Sequence, residues 1–502
     1  MLNILAPAMA RKPKIDIQLE GDTNEYTTGD RICGKVVIES NTETQFDTIE
    51  IKLVGRSKTF VDLMSALPGI QEISKSSQTF LTLRQPGLET LYPLDRTLKR
   101  GTTYELPFEF VLPKRLVDGS CGHQVASPSI REAHLALPPS FGRQDSVGKG
   151  GDVDSTVPET AIINYGISAT ISKSKKLNTN KKPTAMAATW REILVVPCTD
   201  AVLPADVRKA PRGGVPSDHC LRSVKKMSKG IIRSSLGTVT VEVAPPRRLR
   251  LKRREEEASS HRFCTVPVNV MLRFERNNRT TAAPQVSKIT SRLEVNTFYA
   301  TSSHQELPRR DDGVYDRNRR VYTKHMPSAA YTPENVNWAP VKAKCEGLYP
   351  EPAHVEIANC ERNQTADSLT AREGSSSITD LLVPVTIPIP TTLVPTFHSC
   401  LISRTYVLEM SIKLTSQGCN RTAHLRLPVQ ISADTCDHYV DLAAGNRIAM
   451  DSMLPCYFDD CSTFEGQTHD VDIAGDVESG LSNRDLESLA CVDSPPAYCV
   501  YL

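Results

Sequence analysis

EYTTGDRICGKVVIES, residues Glu25 to Ser40, decides the fold. Along its second half, Ile32, Gly34, Val36 and Ile38 fall on one face of an extended chain, and Arg31, Lys35 and Glu39 fall on the other. A period of two belongs to a β-strand with one buried side; a helix would repeat every three to four residues. Thr28-Gly29-Asp30 just before it is a turn signal. The stretch therefore predicts a tight turn that feeds a half-buried strand.

The same alternation recurs on both sides of it. KIDIQLEG (Lys14–Gly21) places Ile15, Ile17 and Leu19 on one face, and FDTIEIKLVGRSKTF (Phe46–Phe60) does so with Ile49, Ile51 and Leu53. YELPFEFVLP (Tyr104–Pro113) and INYGISATIS (Ile163–Ser172) follow, and REILVVP (Arg191–Pro197) is a short apolar run. Short strands at this spacing predict a β-sandwich. A second series starts at LGTVTVEVAPP (from Leu236). It continues through FCTVPVNVMLRFE (Phe263–Glu275), SKITSRLEVNTFYAT (Ser287–Thr301), TDLLVPVTIPIP, LISRTYVLEMSIKL (Leu401–Leu414) and RTAHLRLPVQIS (Arg421–Ser432). The fold class is all-β, with one sandwich over 14–197 and another over 236–433. Residues 302–377 lack periodicity and are rich in charge and proline, which predicts a variable insert in the second sandwich.

Charge marks the remaining segments. The net charge of +2 hides a basic middle and an acidic end. Val207 to Arg254 holds fourteen Lys/Arg against two acids, and 198–235 is expected to be a basic linker with the loop composition PRGGVPSDH. From Cys436 onward there are thirteen Asp/Glu, two Arg and no Lys. With few aromatics and weak periodicity, 434–502 is expected to be a disordered acidic tail. Residues 1–13 are expected to be a disordered leader, since no positive charge precedes their short apolar stretch. No run of apolar residues is long enough for a membrane-spanning helix.

Catalytic and metal signatures are missing. There is no Walker-type loop, no G-x-S-x-G, no H-E-x-x-H and no G-x-G-x-x-G after a strand, so no catalytic residue and no cofactor is expected. The fourteen cysteines show no zinc-ligand spacing; Cys456/Cys461 and Cys491/Cys499 are the closest pairs. Reduced thiols are the expectation. His123 and His134 lie near Cys121, but they are expected to be polar loop residues, and no metal is expected. The sequons at Asn278, Asn363 and Asn420 would count only in a secreted chain.

SPPAYCVYL (Ser494–Leu502) carries a P-P-x-Y motif at Pro495, Pro496 and Tyr498. Paired prolines favour polyproline II, so little entropy is lost when they dock in the aromatic groove of a WW domain, whose second pocket takes the tyrosine. Composition alone gives roughly 0.06 such motifs per chain.

Several pieces together carry a resemblance. Y-x-x-G-D-x-I-x-G-x-V-x-I at Tyr26–Ile38, followed by I-x-I-x-L-x-G at Ile49–Gly55, resembles the opening of an arrestin N-domain. LPFEFVLPKRL (Leu106–Leu116) and LPPSFG (Leu137–Gly142) are similar to later segments of that domain. LGTVTVEVAPPRRLRL, the stretch Val266–Thr301 and PTFHSCLISRTYVLEMSIKL resemble the entry, middle and later strands of an arrestin C-domain. The chain is similar to the fungal arrestin-related trafficking adaptors, the α-arrestins. That resemblance implies two immunoglobulin-like sandwiches and a cytoplasmic protein recruited peripherally to the plasma membrane or endosomes. It implies a non-catalytic adaptor whose P-P-x-Y recruits a WW-domain HECT ubiquitin ligase to a membrane transporter or receptor, for ubiquitination and endocytosis. Many members carry two or more such motifs; one is found here.

Lys225, Lys226 and Lys229 form a basic patch, which is either a solvated loop or a contact for an anionic membrane surface. Together with Lys173, Lys175 and Lys176 they are also candidate ubiquitin acceptors. Two other readings stay open: a sorting scaffold of retromer-subunit type without ligase recruitment, and a nucleic-acid binder acting through Arg247–Arg254. Nucleic acid is not expected as a partner, because no aromatic interleaves that run and three glutamates follow it.

Overall fold

The computed structural model describes residues 12–433, apart from 22–23, 64–69, 143–155, 174–183, 199–220, 230–233, 245, 247, 252–262, 279, 334–336 and 341–377, together with residues 468–473. The first part contains β1 (Lys14–Leu19), β2 (Glu25–Tyr26), β3 (Arg31–Glu39), β4 (Thr44–Gln45), β5 (Thr48–Leu63), β6 (Ile70–Arg84), β7 (Thr97–Leu98), β8 (Thr103–Val111), the helix α1 (Pro128–Leu135), β9 (Ala161–Lys173) and β10 (Thr184–Val195). One sheet has the order β1-β3-β8, the other begins β2-β10-β9-β5-β6, and β4 pairs with β7.

The opening stretch behaves as its pattern dictates. Ile32, Gly34, Val36 and Ile38 all point inward along β3. Gly29 takes the left-handed conformation (φ 88) that the preceding turn requires. The Asp30 carboxylate closes that turn by accepting from the Thr27 amide at 2.8 Å. Gly34 is glycine for a different reason: a Cβ there would sit 2.3 Å from the Gln18 main-chain oxygen and 2.6 Å from the Phe108 ring. Ile17, Ile38, Leu53, Phe108 and Ile167 join in the first apolar core. Full burial of such a side chain contributes about 1.5–3 kcal/mol.

The second part contains β11 (Arg222–Lys229), β12 (Ser234–Val243), β13 (Leu249–Leu251), β14 (Phe263–Arg276), β15 (Gln285–Ala300), α2 (Asp312–Tyr315), β16 (Arg319–His325), β17 (Ala329–Tyr331), β18 (Ala339–Pro340), β19 (Ile378–Pro390), β20 (Phe397–His398), β21 (Ile402–Ser416), β22 (Cys419–Val429) and β23 (Ile431–Ala433). One sheet runs β11-β12-β14-β19-β18. The other runs β16-β15-β21-β20, with β17 on β15 and β22 on β21, and β13 pairs with β23. Val241, Val270, Leu272, Val383 and Leu427 form the second core. The chain is all-β, two immunoglobulin-like sandwiches with a core each. Pro384 and Pro388 fit in β19 because, among the described residues, its outer side is paired only at Thr379 and Asp380, by β18, and an edge position tolerates a missing N–H.

Three segments differ from expectation. Within 302–377, expected to be an insert, β16, β17 and β18 join the sheets; the remainder from 341 lies outside the described residues. Residues of β16 are partly exposed on both faces, so no alternation betrays the strand. Within 198–235, expected to be a linker, residues 222–229 form the edge strand β11. Lysines are common on such edges because they discourage pairing with other chains. In the acidic tail, β24 (Thr468–Ile473) pairs antiparallel with β6, Val471 opposite Glu72. Its acids hide a short alternation of His469, Val471 and Ile473. Among the described residues, no helix is long and apolar enough to cross a membrane.

Candidate functional site

The two sandwiches meet along a continuous set of polar contacts. Thr59 Oγ1 donates to the Ala300 carbonyl at 2.7 Å, and Ser74 Oγ donates to Thr301 Oγ1 at 2.9 Å. The Arg320 guanidinium donates to the Asp62 carbonyl at 2.7 Å. Phe141 and Phe397 stack edge to face at 5.5 Å. Arg404, on β21, is wholly buried. Its guanidinium donates to the Thr156 carbonyl and hydroxyl, to Thr297 Oγ1 and to the Tyr406 hydroxyl, and it lies over the rings of Phe141 and Tyr406. A buried cation is tolerated when its donors are satisfied in this way.

Beside this contact lies a cluster of cysteine and histidine. A 3₁₀ turn over Asp118–Cys121 presents Cys121, the following turn presents His123, and α1 presents His134. Pro128 at the start of α1 supplies the fixed φ that a first helical position favours. Ile130, Ala133, His134 and Leu135 point inward. The turn is fastened to β6: Gln78 Nε2 donates to the Ser120 carbonyl at 2.9 Å, and Ser120 Oγ donates to the Phe80 carbonyl at 2.8 Å. Arg131 donates to the carbonyls of Cys121 and His123 at 2.7 and 3.3 Å. Cys400 comes from the second sandwich, on the tight turn between β20 and β21. Ser399 closes that turn through its hydroxyl and Ile402, and the His304 amide donates to the Cys400 carbonyl at 2.8 Å.

The four ligand atoms of Cys121, His123, His134 and Cys400 all lie within 4.8 Å of one another. Cys121 Sγ is 3.6 Å from His134 Nδ1 and 3.8 Å from His123 Nδ1. Cys121, His134 and Cys400 are buried, and His123 is half-buried. Contact with the Cys400 thiol, above all, and with the two imidazoles pulls the Cys121 thiol down to about 3, while its Cys400 partner is pushed up. Burial alone accounts for most of the depression of the nearby His304 (about 3) and His398 (about 4), so both are neutral.

This corrects the sequence reading, which made Cys121, His123 and His134 polar loop residues: Cys121 and His134 are buried, and His134 lies on a helix. The turn and helix fold inward because Ile130 and Leu135 enter the core, and they carry the polar groups with them. Cys400, which completes the group, was missed; it lies 279 positions beyond Cys121, and no local spacing could have signalled it.

A second group, Glu294, His325 and Glu409, has a different character. Arg426 clamps the Glu294 carboxylate at 2.9 and 3.0 Å, and Arg310 lies 3.3 Å away. Arg292 and Arg426 hold Glu409. Burial pushes the Glu294 carboxyl up, but Arg426, Asn296 and Arg310 outweigh it and hold the group below its ordinary value. Three guanidiniums make this an ion-pair network.

Of the residues singled out from sequence, Lys225, Lys226 and Lys229 lie together along the edge strand β11, with Lys226 and Lys229 exposed. Lys173 ends β9 in the other sandwich. Lys175, Lys176, Pro495, Pro496 and Tyr498 lie outside the described residues.

Residues 15–189 match the arrestin (or S-antigen) N-terminal domain, and residues 354–433 match the Bul1 C terminus. Both parts of the chain thus resemble the arrestin-related adaptors. The first match runs from β1 into β10 of the first sandwich, and the second takes in β19 to β23 of the other. No curated protein matches the sequence.

Proposed function

We propose that the adaptor does no chemistry itself and links membrane transporters or receptors to a WW-domain HECT ubiquitin ligase, promoting cargo ubiquitination and endocytosis. The observation that carries this reading is the P-P-x-Y motif at Pro495, Pro496 and Tyr498 on a chain with arrestin-type sandwiches. The mechanism is effective concentration: one molecule holds ligase and substrate lysines within reach of each other. It works in the cytoplasm and is recruited peripherally to the plasma membrane or endosomes. Lys225, Lys226 and Lys229 on β11 are the proposed contact with anionic lipid, and with Lys173, Lys175 and Lys176 they are proposed acceptors of ubiquitin on the adaptor itself.

The test is a binding titration of the peptide 488–502 against a panel of WW domains, paired with a pull-down from the full-length chain. At least one HECT-ligase WW domain should bind the peptide, and Tyr498→Ala should abolish capture of the ligase. If no domain prefers the native peptide to the Tyr498→Ala peptide, a sorting scaffold of retromer-subunit type becomes the better account.

A further inference from the structure

We propose that Cys121, His123, His134 and Cys400 are the four ligands of a zinc-class divalent ion that joins the two sandwiches. The ligand set is two sulfurs and two imidazole nitrogens, a combination that suits zinc and disfavours magnesium or calcium. A tetrahedral ion with bonds of about 2.3 Å to sulfur and about 2.0–2.1 Å to nitrogen places its ligand atoms about 3.3–3.8 Å apart. The separations of Cys121 Sγ from His134 Nδ1 (3.6 Å) and from His123 Nδ1 (3.8 Å) already meet that geometry.

The outer contacts suit the same role. His123 Nε2 lies 3.1 Å from the His304 carbonyl, so it carries the proton and donates there, and Nδ1 keeps its lone pair for the ion. Metal-binding histidines are oriented by this kind of main-chain acceptor. Arg131 and Gln78 hold the carbonyls of Ser120, Cys121 and His123, which fixes the turn that offers two of the ligands. Charge also balances: two thiolates offset a divalent cation, which lets an otherwise costly group sit in a buried place.

Four protein ligands leave no open position, so the ion is structural and not catalytic. Three ligands come from the first sandwich and Cys400 from the second. The ion therefore fixes one sandwich against the other. The Glu294–His325–Glu409 group offers no such site, since its carboxylates are already committed to arginines.

The experiment uses the full-length chain, purified under reducing conditions without chelator. Zinc content should be stoichiometric. After chelation, added cobalt(II) should give the visible d–d bands and thiolate charge-transfer absorption of a tetrahedral site. Cys400→Ser and Cys121→Ser should each weaken cobalt binding by about 100-fold or more, since even outer-shell changes cost 10–100-fold. Cys264→Ser, a thiol elsewhere in the second sandwich, should leave it unchanged. Should the variants fold poorly, the wild-type chain decides: the ion should protect Cys121 and Cys400 from alkylation, and chelation should expose them. The proposal is overturned by a metal-free protein with no tetrahedral cobalt spectrum, by unchanged binding in Cys400→Ser, or by alkylation that chelation does not alter. It is also overturned if peptide mapping finds a Cys121–Cys400 disulfide in metal-free protein, which would make the pair a redox latch.

Discussion

Arg404 Nη1 donates to the Thr156 carbonyl across the junction of the two sandwiches, at 3.1 Å. The guanidinium has no contact with water and serves acceptors from both sides. Arg404→Ala would leave those acceptors buried and unpaired and would open a void between Phe141 and Tyr406. It should destabilise the chain by about 3 kcal/mol or more. Arg404→Lys keeps the charge but loses the planar fork and should cost about 1–2 kcal/mol. Urea denaturation midpoints would rank the three proteins, and an unchanged midpoint for Arg404→Ala would count against the junction's importance.

Tyr498→Ala should weaken binding of the 488–502 peptide to its best WW domain about thirtyfold, which corresponds to about 2 kcal/mol. The thermal midpoint of the full chain should not move. A fall in that midpoint would mean that the tail supports the fold as well as a partner.

Charge reversal of Lys225, Lys226 and Lys229 should lower binding to vesicles containing phosphatidylserine by roughly 1 kcal/mol per residue at low salt. The effect should shrink as salt rises. Folding should survive, because Met227 is the buried side chain of β11. Co-sedimentation at two salt concentrations tests this; equal binding of wild type and variant would remove the lipid contact.

Glu294 makes acid stability informative. Its carboxyl is held below the ordinary 4.5, so its stabilisation is fully present above that value and is lost as pH falls through the folded pKa. Glu294→Gln should cost about 3 kcal/mol at pH 7, because it leaves Arg426 partly uncompensated. It should also flatten the decline in stability below about pH 4.5, relative to wild type. Parallel slopes in denaturation series across that range would contradict the assignment.

The sequence made the apolar scaffold legible where burial is one-sided. Ile32, Val36 and Ile38 in β3, or Val266 and Val268 in β14, repeat at period two, and they face the cores. The strand β6 stayed hidden for a physical reason. Its inward residues include Ser74, Ser76 and Gln78, so its buried side does not look buried. Ser74 is used at the junction, on Thr301, and Gln78 holds the turn at Ser120. The cysteine–histidine group stayed hidden because it is assembled by topology. His134 comes from a helix that period-two reading does not seek, and Cys400 comes from the other sandwich. The P-P-x-Y motif is the opposite case, a linear sequence pattern readable without any fold.

The pairing of β24 with β6 bears on solubility. A sheet whose outermost strand leaves its amides and carbonyls free is a template for a second copy of the chain. Here residues 468–473 occupy that row from Ile70 to Lys75, while the outer strand of the other sandwich, β11, carries Arg222, Lys225, Lys226 and Lys229. One exposed border is capped by the protein's own tail and the other is guarded by repulsion. Shortening the tail before Thr468 would therefore uncover an adhesive border on the first sandwich, and the shortened chain would meet its first difficulty as self-association, before any loss of fold.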